Sequence, residues 1–284
     1  MGMGKISLEL SKCFMRKGVV LYGSTLNEER AKTLKKIGVT IFDRDDFSKI
    51  IKTADSLLIT APPDANGCPV LNKYKNSIVG SNLSWIGYVS STGVYGNYNG
   101  ELVKEDSILK SQNSNNLFRV KAENQFRNLT SKHKIPLCIF RLSGIYGIDR
   151  NILIQIIKNK FIPIHKKNHF FNRIHEKDIA RVLSDAAISK SVEGVINLSD
   201  DKPATQLDVA KYAYQLLGKK IPKIYNYDEV FKTMSPNARK FWENSRKIDN
   251  SILKKKFGKM IYSSYEEGLF DIFTYLKSNS SFKF

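Results

Sequence analysis

Gly2-Met3-Gly4-Lys5-Ile6-Ser7 opens the chain and approximates the pattern G-x-G-x-x-G/A. In that pattern the first glycine allows a tight turn, the second lets the backbone approach a pyrophosphate, and the third slot holds a small residue for helix–strand packing. Ser7 fills the third slot. Ile6, Leu10, Cys13 and Phe14 then recur at helical spacing. A helix is therefore expected directly after the loop, with its unpaired N–H groups and positive dipole end turned toward phosphates. Gly2, Gly4 and Ser7 are the first candidate cofactor-binding residues.

Working outward, short apolar runs alternate with amphipathic stretches. The reading predicts strands over 18–23, 39–43, 55–61, 85–91 and 137–142, and helices over 28–37, 46–52, 71–81 and 115–132. Strands with apolar, β-branched cores that alternate with helices point to a parallel sheet covered on both faces. Right-handed crossovers make it a doubly wound, Rossmann-type α/β sheet. Beyond Gly147 the alternation loosens, with helices expected over 151–158, 178–189 and 206–217 and a strand over 195–198. We expect residues 1–150 to form the dinucleotide-binding core. Residues 151–284 complete the sheet over about 174–200 and form a small C-terminal substrate lobe.

One element of this plan is missing. In a doubly wound sheet the strand before the glycine loop lies at the centre, and here only Met1 precedes Gly2. Two half-sheets with unpaired inner edges would be costly. The expectation is that this strand lies upstream of Met1; the alternative is a sheet that has closed up around an altered pocket.

The chain has 284 residues and 42% hydrophobic residues, enough for a real core, and a net charge of +19. Lys is spread along the whole sequence, so the charge suits an anionic small ligand better than nucleic acid, which is not expected as a partner. No window approaches the ~18 apolar residues of a membrane span, and no charged stretch leads into an apolar run as in a signal peptide. The three cysteines and four histidines fall in no metal-ligand spacing, so no metal is expected, and the scattered cysteines suit reduced thiols of a cytoplasmic protein.

At the end of the 18–23 strand the chain reads Tyr22-Gly23-Ser24-Thr25. No acid is present there to bond a ribose 2′-hydroxyl, whereas Ser24 and Thr25 suit a 2′-phosphate. NADP is thereby favoured over NAD. Asp43, ending the next strand, is expected at the adenine amine.

Further motifs follow in order: Tyr88–Gly96 (YVSSTGVYG), Arg119–Glu123 (RVKAE), Phe140–Gly147 (FRLSGIYG), Phe171–Ala180 (FNRIHEKDIA), Asn197–Pro203 (NLSDDKP) and Arg246. In this order they resemble the extended short-chain dehydrogenase/reductase family, the NAD(P)-dependent epimerase/dehydratase group, from Gly2 to about Leu269. The resemblance implies a nicotinamide cofactor and a sugar-like or nucleotide-linked hydroxyl substrate. It implies that Ser91, with Thr92 as stand-in, polarises the substrate oxygen, and that Pro62 lies where the chain bends past the cofactor. Arg150, Arg173 and Arg246 are the implied substrate contacts, and a homodimer is the implied assembly.

The same resemblance exposes a departure. The family's catalytic helix carries Tyr-x-x-x-Lys, in which Lys lowers the Tyr pKa and Tyr moves a proton. Here Asn115 and Arg119 fall at those slots. Asn is no acid or base near neutral pH, whereas Arg119 can still bond ribose hydroxyls or act electrostatically. Two functions stay open: an epimerase- or oxidoreductase-like enzyme, and a module that binds NADP or a nucleotide without turnover. His175 reads as a packed histidine, and Arg141 as the partner of a carboxylate.

Overall fold

The computed structural model of the chain describes residues 2–4 and 6–279. Packing divides it into two compact units. The first gathers Met1–Val94, Ser111–Leu142 and Glu176–Leu198, and the second Tyr95–Lys110, Ser143–His175 and Ser199–Phe284.

The first unit is a Rossmann-type α/β layer. Its strands are β1 (Tyr22–Gly23), β2 (Thr40–Ile41), β3 (Ser56–Ile59), β4 (Trp85–Ser91), β5 (Leu137–Leu142) and β6 (Gly194–Leu198). Its helices are α1 (Ser7–Arg16), α2 (Glu28–Lys36), α3 (Phe47–Ile50), α4 (Pro69–Val79), α5 (Ser114–His133) and α6 (Glu176–Ser189). Every strand pairing is parallel. Among the described residues the strands form two groups, β2 with β1, and β3-β4-β5-β6 in spatial order.

β4 lies inside the larger group, and WIGYVSS is buried along nearly its whole length, as a strand covered on both faces must be. A side chain at Gly87 would run into the Trp85 ring and Leu58, so only glycine fits. Trp85 in turn donates its indole N–H to the Val192 carbonyl at 2.8 Å. Phe126 from α5 stacks on Tyr88 with centroids 4.6 Å apart, which fixes that helix over β4. On another face α1 buries Leu10, Cys13 and Phe14. Lys17, just past α1, reaches Asp185 and the Ser184 hydroxyl on α6.

The break in the sheet falls between β1 and β3. A cavity of about 570 Å³ separates them, lined by Leu21 and Tyr22 on one side and Ser56, Leu57 and Leu58 on the other. The predicted 18–23 strand shrinks here to Tyr22–Gly23, and Val20 is 73% exposed. A strand paired along one edge only has half the ladder to hold its ends. The predicted 46–52 helix begins as a 3₁₀ turn, Arg44–Asp46, because the Asp43 carboxylate accepts from the Asp45 N–H and caps it. The predicted 71–81 helix starts earlier, at Pro69, a residue preorganised for a first helical turn.

Among the described residues the second unit holds three two-stranded parallel pairs: Gly144–Tyr146 with Arg173–His175, Ile164–His165 with Tyr225–Asn226, and Leu102–Val103 with Lys247–Ile248. Its core joins Leu153 and Ile156 to Val209 and Ala213 and to Leu269 and Ile272. The Gln206–Leu216 helix starts at a capping box, Thr205 with Asp208.

Candidate functional site

In open parallel sheets, ligands bind outside the carboxyl ends of the strands. In the first unit, most of the candidate positions lie at or just beyond such ends. Gly2 sits just past β3: the Thr60 hydroxyl donates to its carbonyl. Its φ is +89°, and a Cβ would lie 2.5 Å from the Ala61 nitrogen, so glycine is required here by close packing. One residue on, the Met3 N–H donates to the Ser24 carbonyl at 3.1 Å, just past β1. The loop thus bridges the ends of β1 and β3.

Gly4 is different. A Cβ there would meet nothing nearer than the Gly2 carbonyl at 3.7 Å, so the backbone is open to an approaching group. Ser7 is 2% exposed and starts α1, its N–H and its hydroxyl both donating to the Gly4 carbonyl at 3.1 and 2.6 Å. Lys5, inside the loop, lies outside the described residues. Ser24 is buried. Thr25 is half-buried, and its hydroxyl accepts from the Asn27 N–H. Asp43 is exposed beyond β2, with one oxygen engaged in its cap. Pro62 is exposed beyond β3.

At the end of β4 the Ser91 hydroxyl accepts from the Gly93 N–H at 3.0 Å, which leaves its proton available to a ligand oxygen. Thr92 is buried and donates to the Leu142 carbonyl at 3.3 Å, a bond that occupies its proton. Ser91 is therefore the better placed of the two donors. Arg119 on α5 is half-buried, donates to the Val89 carbonyl at 3.5 Å and stands beside the Tyr88 phenol. Asn115, one turn earlier, is exposed. Burial pushes the Tyr88 phenol well above its ordinary range, with the nearby Arg119 charge acting against the shift.

Beneath this edge lies a polar network. The Glu123 carboxylate accepts from the Ser90 hydroxyl at 2.6 Å and from Arg141 through Nε at 3.1 Å and Nη2 at 2.7 Å. Arg127 adds a contact at 3.3 Å. Arg141 therefore has the carboxylate partner that the sequence suggested. The role of Glu123 was not read from the sequence. The available signal was its spacing, one turn beyond Arg119 and so on the same helix face.

The three remaining arginines belong to the second unit. Arg150 is exposed, its backbone paired with Gly147 across a tight turn. Arg173 donates to the Phe171 and Ala204 carbonyls at 3.1 and 3.5 Å. Burial presses its pKa below the ordinary value, opposed by Asp200. Arg246 donates Nη1 to the Gly96 carbonyl at 2.8 Å, while its buried Nε has no hydrogen-bond partner among the described residues. Burial lowers its pKa to about 10. Of these three, Arg246 is the one with a buried donor left over for a ligand.

Solved structures share this architecture. A conserved protein of unknown function from Silicibacter pomeroyi DSS matches at 29% identity over 96% of both chains, with a TM-score of 0.86. The UDP-glucuronic acid 4-epimerase of Bacillus cereus in complex with NAD matches at 16% identity over 100% of both chains, with a TM-score of 0.75. The chain shares the Rossmann-type fold of these proteins. A human epimerase family protein with NADPH matches at 16% identity over 96% of this chain and 98% of that one, with a TM-score of 0.70. Neither a protein-family model nor a curated protein sequence matches. The resemblance read from the motifs therefore holds at the level of the fold.

Proposed function

We propose that this chain is an NAD(P)-binding protein of the epimerase/dehydratase type, acting on a sugar-like or nucleotide-linked hydroxyl compound. The observation that carries the reading is the loop at Gly2–Gly4. It lies at the carboxyl ends of β1 and β3, opens α1, and leaves the backbone at Gly4 open where a pyrophosphate would approach. Gly2, Gly4 and Ser7 would hold the phosphates, Ser24 and Thr25 the ribose or its 2′-phosphate, and Asp43 the adenine. Pro62 would border the cofactor, and NADP is favoured over NAD by the missing acid after β1. When bound, a nicotinamide supplies hydride transfer to or from a carbon of the substrate. Ser91 would donate its free proton to the substrate oxygen, and Arg119 would supply positive charge beside it. Arg150, Arg173 and Arg246 are the substrate-side cations, with Arg246 the strongest candidate for an anionic group.

A second reading, binding without turnover, rests on Asn115. An exposed amide at the helix position where a proton carrier is expected cannot move a proton near neutral pH. Titration with NADPH and NADH, followed by nicotinamide fluorescence, tests both readings. Saturable binding that falls at least tenfold in Gly2→Ala is expected; undiminished binding in a folded Gly2→Ala chain would refute the loop as the phosphate site. A change in nicotinamide absorbance when UDP-sugars are added separates the enzyme from the binding module.

A further inference from the structure

The second unit holds a guanidinium with no acid beside it. Arg246 follows Ser245, whose hydroxyl donates to the Asn168 carbonyl at 3.2 Å and accepts from the Phe170 N–H at 3.0 Å. Those two residues flank His169, so one serine brings the segments of Arg246 and His169 together. The Asn97 side chain accepts from the Ser245 N–H at 2.9 Å, and Asn172 donates to the Arg246 carbonyl at 2.8 Å. The backbone at Arg246 is therefore fixed by the fold itself. Every group in this cluster belongs to the second unit.

With Nη1 spent on the Gly96 carbonyl and the buried Nε unpartnered among the described residues, the open edge of Arg246 is Nε with Nη2. Arg141 grips the Glu123 carboxylate through that same edge. At Arg246 no carboxylate of the chain fills the place: burial presses its pKa down, and the Tyr95 phenol is what opposes the shift. His169 is 4% exposed, and its Nε2 likewise has no partner among the described residues. Its ring packs against Phe171 at 4.9 Å and Trp242 at 5.4 Å. Burial and the Lys166 and Arg246 charges keep this imidazole neutral at about pH 7, so Nε2 can carry the single ring proton and donate it. Lys166 is engaged elsewhere: Nζ donates to the Trp242 carbonyl at 2.8 Å and lies 3.8 Å from the centre of the Tyr227 ring. A buried charge without a counter-charge and a buried donor without an acceptor are both costly.

We propose that Arg246 and His169 form a binding site for a carboxylate. Its two oxygens accept from Arg246 Nε and Nη2 in the side-on, two-bond geometry of a guanidinium–carboxylate pair, and His169 Nε2 donates to the same group. Among the described residues Arg246 is the cation of this cluster with an unpaired buried donor, so a planar, singly charged group fits better than a phosphate dianion. Assigning the carboxylate to the substrate rests on the function proposed above; the hydroxyl compound is then also an acid.

The test titrates acetate into the full-length chain at constant ionic strength and follows the imidazole nitrogen resonances; those of His169 are the ones lost in His169→Gln. Acetate is expected to shift them saturably and to raise the His169 pKa from about 4 toward its ordinary range, because the anion offsets the Arg246 charge. Arg246→Lys keeps the charge and loses the two-donor edge, so acetate affinity should fall at least about tenfold. Inorganic phosphate should bind more weakly than acetate. No saturable shift up to about 0.1 M acetate overturns the site, as does a folded Arg246→Lys chain that binds acetate undiminished. Phosphate binding tighter than acetate overturns the carboxylate. If Arg246→Lys does not fold, the acetate and phosphate titrations of the parent chain decide. Nicotinamide titration is a separate readout. Acetate binding without NADPH binding removes the cofactor reading and leaves this site standing, and the reverse removes this site alone.

Discussion

Replacing Glu123 by glutamine removes one negative charge and almost no volume from the middle of the first unit. The Glu123 side chain is 1% exposed and that of Arg141 is 3% exposed, with two hydrogen bonds between them. Arg141 cannot shed its proton, so the variant keeps the buried guanidinium and removes the Glu123 charge that faces it. Breaking a buried pair from one side costs about 3–5 kcal/mol. Gln retains a carbonyl acceptor for one of the Ser90 or Arg141 bonds, which places the expected loss near the lower end, about 3 kcal/mol. At about 2–4 °C per kcal/mol for a chain of this size, Tm should fall by about 6–12 °C. Urea unfolding followed by circular dichroism measures the loss directly. The companion experiment is the pair Glu123→Leu and Arg141→Met, singly and together. If the cost arises from the stranded charge, the double variant is more stable than either single one. A loss below about 1 kcal/mol in Glu123→Gln, or additive losses in the double variant, would refute the reasoning.

Burial among Phe171 and Trp242, beside the Lys166 and Arg246 charges, lowers the His169 pKa to about 4. The unfolded chain takes up the proton first, so stability is full above about pH 6.5 and falls as pH drops toward 4, by about 3 kcal/mol in all. His169→Phe should flatten that slope in urea titrations at about pH 7 and 4.5, and an unchanged slope would place the acid sensitivity elsewhere. Asp200 behaves in the opposite sense. Burial raises its pKa to about 8, with Arg173 pulling the other way. The fold holds a proton that the unfolded chain has lost, so stability declines as pH rises from about 4 to about 8 and then levels. Asp200→Asn should be more stable than the parent at about pH 8.5, and a destabilised variant at that pH would count against the shift. Asn115→Tyr with Arg119→Lys should fold with less than about 1 kcal/mol lost, because position 115 is exposed and lysine keeps the positive charge that Arg119 holds beside Tyr88 and the Val89 carbonyl. Severe loss of Tm would mean these two residues do not share an open helix face.

The parallel α/β architecture was legible because its strongest strands are continuous apolar runs. WIGYVSS at 85–91 and LCIFRL at 137–142 appear in the structure with the predicted bounds. What blurred was β1, whose six predicted residues shrink to two where one side faces a cavity. Periodicity reports which face is apolar and says nothing of whether a neighbour is present to complete the ladder. At the site, the glycine pattern called for a tight turn at Gly2 but could not say that Ala61 packs against it. The hydroxyls at 90–92 looked alike in sequence. Their separate fates, Ser90 to Glu123, Ser91 to Gly93 and Thr92 to Leu142, depend on strand pleat and on a helix some thirty residues away. The committed state of Arg173, pinned by two carbonyls, also arises from contacts that spacing does not encode.

The clasp between α1 and α6 carries a consequence for how the molecule is made. Lys17 and Ser184 stand 167 residues apart in the chain. During synthesis α1 emerges first, with an apolar stripe of Leu10, Cys13 and Phe14 and no α6 to cover it. At about 5–20 residues per second, the ribosome needs roughly ten to thirty seconds to deliver that cover. Throughout that interval a sticky amphipathic helix waits on the nascent chain. The first unit is therefore a late-closing domain, and its newborn form, more than its finished one, is where dependence on a chaperone would be set.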